Sequence, residues 1–232
     1  MNKQFVMGMK DGIPIALGYL SVSFGFGILA ASLGLSAFVA WIISASNLTS
    51  AGQVAGVGVI AAAGTYLEMA ATQLVINIRY SLMGLSLSQK LDPSFSLPQK
   101  LLVSYGITDE IFAVAHAKEG KLVPQYMYGL VLMGFLGWTF GTLFGAVAGE
   151  ILPASLTDAM GIMLYGMFLA IILPVARKDR ATLAAILIAA VISLLFYYVF
   201  TSISSGFSII LSAVAAAAIM AAVHPVAEEE EA

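Results

Sequence analysis

The chain has 232 residues, 60% of them hydrophobic and 10% charged, with a mean hydropathy of +0.97; an average soluble domain carries ~25% charged residues. That balance excludes an ordinary soluble globule, and the absence of cysteine excludes a disulfide framework, a thiolate metal site and a cysteine nucleophile. The net charge of −3 is set by Glu228–Glu231 near the C-terminus, without which the chain stands at +1, and no basic or aromatic-interleaved patch points to nucleic acid.

Apolar stretches of roughly 18 or more residues recur, each long enough to cross a ~30 Å hydrocarbon core, and the ~10-residue alternating segments of a β-barrel are missing. The expectation is an all-α polytopic membrane protein with about six full transmembrane helices plus broken or re-entrant helical segments. Residues 1–224 form a single transmembrane transport domain in this reading, and 225–232 an acidic cytoplasmic tail.

Lys3 and Lys10 lead into an apolar run over ~13–33 without an A-x-A-like cleavage site, so this run is expected to be retained as a first helix. Lys and Arg cluster at Lys3 and Lys10, at Lys90 and Lys100, at Lys118 and Lys121, and at Arg177, Lys178 and Arg180. The positive-inside rule puts these clusters in the cytoplasm, and the bare connections near Gly34, Glu150 to Asp158 and Thr201 to Gly206 outside. The first run therefore goes out, and the chain is inside again by Lys90. Between them, ~36–47, ~50–64 and ~67–88 either cross three times as short helices or make a re-entrant pair followed by one crossing. Residues ~98–118 begin and end inside: two crossing half-helices, a dip and return, or surface helices. The remainder threads out over ~123–149, back over ~156–175, out over ~182–200 and back over ~206–224, leaving both termini cytoplasmic. Gly134, Gly137, Gly141, Gly145 and Gly149 form a face that invites a close helix neighbour, expected within this same chain.

Two segments read as helix breaks. Ser44 to Gln53 sets Ser44, Ser46, Asn47, Thr49, Ser50 and Gln53 between apolar stretches, a helix end followed by a new start at Thr49 or Ser50. Further on, Gly106 ends one helix, Thr108 caps the next, and Asp109 with Glu110 falls in its first turn, where the dipole favours negative charge. Discontinuous helices at membrane depth build substrate sites in secondary transporters, and a zwitterionic amino acid suits the mixture of free amides, carbonyls and carboxylates. The plainer readings are an exterior loop for the first break and ordinary first-turn acids for the second.

Between the breaks lies a segment that carries Glu68, Asn77 and Arg79 among apolar neighbours. A charge at bilayer depth costs at least ~2.5–3.5 kcal/mol on insertion scales. Glu68 and Arg79 are about three helical turns apart and share a stripe with Thr72, while Gln73, Asn77 and Tyr80 form a second stripe. A helix polar on two sides is expected inside protein, with Glu68 as candidate partner of Arg79 if both are buried. A structural charge pair, or Arg79 snorkelling to the interface, are the alternatives.

The chain resembles the AzlC-type branched-chain amino acid permeases, the large subunits of bacterial azaleucine-resistance exporters. The resemblance is carried by Gly12 to Tyr19, Phe24 to Gly27, the stretch ending at Gln53, Asn77-Ile-Arg79-Tyr80 with Gly84 to Leu87, and Gly106 to Glu110. The family commonly has an aromatic where this chain has Val54, and His where it has Tyr80. The resemblance implies export of branched-chain amino acids or close analogues across the bacterial cytoplasmic membrane, driven by an ion gradient. It also implies a small AzlD-type membrane subunit as partner, and no cofactor. In that reading Asn47, Thr49, Ser50, Gln53, Glu68, Asn77 and Arg79 line or brace the cavity, and Asp109 or Glu110 serves coupling or amine recognition. Phe24, Phe26 and Met69 are candidates for shaping the apolar pocket. Neither His116 nor His224 sits beside a nucleophile motif, so no enzyme is expected. A channel-like pore for small solutes or ions is the competing reading.

Overall fold

The computed structural model describes residues 2–153, 155, 166, 169 and 172–224. Most of the expected span over ~156–175, and the whole acidic tail over 225–232, lies outside the described residues. The named elements are helices: α1 (Lys3–Ser32), α2 (Ala37–Ser46), α3 (Ala51–Ala61), α4 (Tyr66–Ser88), α5 (Leu97–Tyr105), α6 (Asp109–Ala117), α7 (Pro124–Ile151), α8 (Arg180–Tyr198) and α9 (Ser205–Val223). Among the described residues α1, α7, α8 and α9 are long and apolar enough to cross a membrane. α4 has the length, at 23 residues, but its charged and amide side chains keep it out of that set. The protein is an all-α polytopic membrane protein.

Contacts divide the chain into two units. One comprises Met1–Val57 and Asn77–Leu164, the other Gly58–Ile76 and Tyr165–Ala232. The boundary falls within α4, so Glu68 and Arg79 belong to different units.

The first unit is organised by α1 against α7. Gly137 lies on the Ala16 backbone, Gly141 on Leu20 and Gly145 on Phe24, so both helices advance four residues per contact and run parallel. A Cβ on Gly145 would collide with the Phe24 carbonyl, and one on Gly141 with Leu20 backbone and the Ser23 hydroxyl. The glycine stripe thus finds its neighbour inside the chain, at the close backbone approach that small residues allow. Ile15, Tyr19, Val103, Ile111, Met127, Leu130 and Trp138 belong to one buried apolar cluster, drawn from α1, α5, α6 and α7.

α5 and α6 are nine residues each, about 13–14 Å long, well short of a ~30 Å core. Their feet are tied together. Asp92 N donates to Leu122 O at 2.8 Å, Leu122 N to Lys90 O at 2.9 Å, and Lys121 Nζ to Gln89 O at 2.8 Å, while Lys90 Nζ reaches His116 O. The chain therefore enters and leaves this hairpin at one place. α2 and α3, at 10 and 11 residues, are likewise too short to cross alone. In the second unit α8 starts from Asp179, whose carboxylate accepts from Ala181 N and Thr182 N, and α9 from Ser204; the two helices pack on each other.

Because the α1–α7 seam is backbone on backbone, Gly145→Leu is expected to destabilise the detergent-solubilised protein by at least ~1–3 kcal/mol, the range for overpacking. Gly18→Leu, where nothing lies within 4 Å of an added Cβ, serves as the comparison in the same thermal unfolding measurement and is expected to move little.

Candidate functional site

The first break opens where α2 ends. Asn47 leaves the helix in an extended conformation, at φ −144° and ψ 96°, and Thr49 Oγ1 donates to Asn47 Oδ1 at 2.8 Å. Ser50 then takes φ 49°, in the left-handed region that non-glycine residues seldom enter, and turns the chain into α3. The second break runs Gly106-Ile107-Thr108, with Thr108 Oγ1 capping α6 through Ile111 N at 3.3 Å. Asp109 and Glu110 occupy the first turn of α6, as expected.

The two breaks are bonded to each other and to α4. Tyr105 Oη, from the end of α5, donates to Ala45 O at the end of α2 at 2.5 Å. From α4, Tyr80 Oη reaches Thr49 O at 3.4 Å, and Arg79 Nη1 pairs with Asp109 Oδ2 at 2.7 Å. Arg79 Nη2 also donates to Tyr80 Oη at 3.2 Å, and its guanidinium lies 4.9 Å from the Tyr80 ring centre. One dipeptide therefore touches both broken segments. The Arg79 and Asp109 side chains are 44% and 49% exposed, so the pair is not sealed within the protein.

From α1, Tyr19 Oη contacts both Thr108 Oγ1 and the Glu110 carboxylate. A phenol has one proton, so Tyr19 donates to the carboxylate and the Thr108 hydroxyl donates to Tyr19. The Tyr19 ring meets Trp138 of α7 edge-on at 5.2 Å. Tyr19 was not singled out from the sequence; a phenol at mid-length in an apolar helix was the available signal. Tyr105 and Thr142 were missed as well.

Gln53 is 1% exposed and turns towards α7: its Nε2 donates to Ser44 Oγ at 2.9 Å, and Ser44 Oγ lies 2.7 Å from Thr142 Oγ1. Asn77 is half-buried two residues before Arg79. Glu68, 4% exposed, sits in the other unit. Its Oε1 accepts from Gly206 N at 3.0 Å and from the Ser204 hydroxyl, at the N-terminus of α9, where free amides and the helix dipole favour a carboxylate. Thr72 is at the same place, its Oγ1 2.9 Å from where a Gly206 Cβ would stand. Glu68 and Arg79 thus have separate partners: each finds its counter-group on a helix terminus distant in sequence. Phe24 lies on the α1–α7 seam through its carbonyl, Phe26 is fully buried, and Gln73 Nε2 approaches Met69 Sδ at 3.9 Å.

An apolar cavity of about 250 Å³ lies between the C-terminal half of α4 and α5, lined by Gly84, Leu87, Leu91, Leu101, Val103 and Ile107 among others.

The model of the AzlC protein family matches residues 14–152. The chain is similar to the inner membrane protein YgaZ of Escherichia coli (strain K12), 31% identical over 195 residues that cover 80% of this chain and 79% of that protein. It is 29% identical over 176 residues to an uncharacterized membrane protein of Archaeoglobus fulgidus, covering 75% and 76%. It is 23% identical over 174 residues to the branched-chain amino acid transport protein AzlC of Bacillus subtilis (strain 168), covering 72% and 66%. No solved structure matches the chain.

Tyr19→Phe leaves the Thr108 hydroxyl and the Glu110 carboxylate without their shared partner, and a loss of about 1–3 kcal/mol in thermal stability is expected. A double-mutant cycle on Arg79→Ala and Asp109→Ala is expected to give a coupling energy of about 0.2–1 kcal/mol, because both groups are half exposed.

Proposed function

The chain belongs to the AzlC protein family, and on that premise we propose that it is a secondary transporter exporting branched-chain amino acids or close analogues across the bacterial cytoplasmic membrane. The observation that carries the reading is the half-exposed Arg79–Asp109 ion pair at the second break, beside Tyr80, which reaches the first. A zwitterion needs one cationic and one anionic partner, and broken helices inside a membrane protein supply such sites. The named relative in Bacillus subtilis is a branched-chain amino acid transport protein, which supports the substrate class.

In this reading Asn47, Thr49, Ser50 and Gln53 brace the first break, and Asn77 and Arg79 flank the substrate path from α4. Asp109 and Glu110 supply ion coupling or amine recognition. Glu68 braces the start of α9 within its own unit, where its carboxylate meets the Gly206 amide. The protein acts as a carrier and not as an enzyme. It is the large subunit of a two-component permease, paired with a small hydrophobic AzlD-type subunit, and its termini face the cytoplasm.

Counterflow of labelled L-valine in proteoliposomes is expected to saturate and to be accelerated by unlabelled valine on the opposite side. Flux that stays linear with concentration and follows voltage would establish a pore instead. Asp109→Asn and Glu110→Gln are expected to abolish gradient-driven efflux while insertion is kept; unchanged valine efflux in both removes the coupling role.

A further inference from the structure

We propose that the cavity between α4 and α5 receives the apolar side chain of the substrate, that the substrate's charged head separates the Arg79–Asp109 pair, and that Gly84 sets the side-chain length accepted. The proposal rests on the transport reading above and names the site within it.

The ion pair does not itself line the cavity, but both walls of the cavity lead to it along the chain. On α4, Tyr80, Gly84 and Leu87 follow at steps of four and three, so they share one face, and Gly84 lies about 6 Å along the axis from Tyr80. The Tyr80 ring carries the Arg79 guanidinium. On the facing segment Ile107 lines the cavity and stands two residues before Asp109. Leu87, Leu91, Leu101, Val103 and Ile107 make most of the lining hydrocarbon, with Ser88, Ser104 and Lys100 as its polar groups, and the ion pair stands just beyond it. A volume of about 250 Å³ is below the ~300–1,000 Å³ of sites for drug-sized ligands, so the occupant is a small solute.

A molecule with a carboxylate and an ammonium on one carbon and a branched hydrocarbon beyond it matches that pattern. Its carboxylate takes the guanidinium fork of Arg79, which suits two parallel hydrogen bonds, and its ammonium takes Asp109. In the free protein the two residues neutralise each other at 2.7 Å. Entry of a zwitterion exchanges one ion pair for two, so charge stays balanced throughout. The head is then common to all amino acids, and selection among them falls to the apolar cavity.

Gly84 controls that selection. A glycine inside a helix weakens it relative to alanine. Most helical glycines of the first unit are required by close backbone neighbours, as at Gly141 and Gly145, but nothing lies within 4 Å of a Cβ built on Gly84. Packing does not demand a glycine there. The missing side chain leaves room in the cavity wall, and any longer residue projects into the space the substrate would use.

The test is a comparison of amino acids on one reconstituted preparation of each protein. Counterflow of leucine, alanine and phenylalanine is measured for wild type, Gly84→Leu and Leu101→Ala. Gly84→Leu is expected to lower the leucine-to-alanine selectivity at least ~10-fold, and Leu101→Ala to raise phenylalanine relative to leucine by a similar factor, the scale for a few methylenes in an apolar pocket. Ratios within one preparation are insensitive to the fraction folded. If Gly84→Leu is inactive towards every amino acid, the Leu101→Ala ratio decides alone. Unchanged ratios in the active variants overturn the proposal and leave the cavity to lipid. A wild type that exchanges no amino acid overturns the transport reading itself.

Discussion

A helix that stops leaves amides or carbonyls without an intrahelical partner, and the first unit is built around that constraint. Its two breaks expose such groups between α2 and α3 and between α5 and α6. Two phenols answer carbonyls among them, and a third braces the side chains that begin α6. Tyr105 donates to the Ala45 carbonyl, Tyr80 to the Thr49 carbonyl, and Tyr19 joins the capping Thr108 to Glu110. Tyrosine suits this work because its rigid ring packs in an apolar setting while its tip hydrogen-bonds about 6–7 Å from the backbone. Each phenol comes from a different helix, so satisfying the breaks also fixes α1, α4 and α5 around them.

The charges follow from the same arrangement. α4 could not lie against lipid with Arg79 and Glu68 on its surface, and it resolves the two in different ways. Arg79 pairs with an acid on the first turn of α6, while Glu68 is buried against the first turn of α9. Both solutions place a carboxylate at a helix N-terminus, where it is favoured irrespective of any cation. The Arg79–Asp109 pair differs in remaining half exposed, whereas Glu68 is buried.

Much of this was legible in the sequence. The breaks at Ser44–Gln53 and Gly106–Thr108 showed themselves through polar and cap-forming residues in apolar surroundings. The Gly134–Gly149 stripe announced a close neighbour, and the cationic clusters implied that the segment holding α5 and α6 returns to its starting side. What was not legible was pairing. The spacing of Glu68 and Arg79 on one stripe suggested each other as partners, because one helix face is all that a single sequence displays. Their actual partners lie 136–138 residues away for Glu68, and on a separate helix for Arg79. Tyr19 and Thr142 were passed over for the same reason: as isolated polar residues in apolar helices they carry no pattern until their neighbours are known. The cavity at Gly84 was also hidden, since a glycine that makes room and a glycine that permits contact read alike in one chain.

The parallel seam of α1 on α7 has a consequence for biosynthesis. Its contacts join residues about 120 positions apart, and at about 5–20 residues per second roughly 6–24 seconds separate the emergence of the two helices. Throughout that interval the face of α1 holding Gly8, Gly12 and Gly27 lacks the α7 partner it packs on in the finished unit. The half-helices between them are made in the same window, before the scaffold that orders them exists. Assembly of the first unit is therefore a late event, completed only when α7 arrives, and the ribosome's pace through residues 33–123 sets how long the nascent chain depends on lipid or on helper proteins to shield what it has already made.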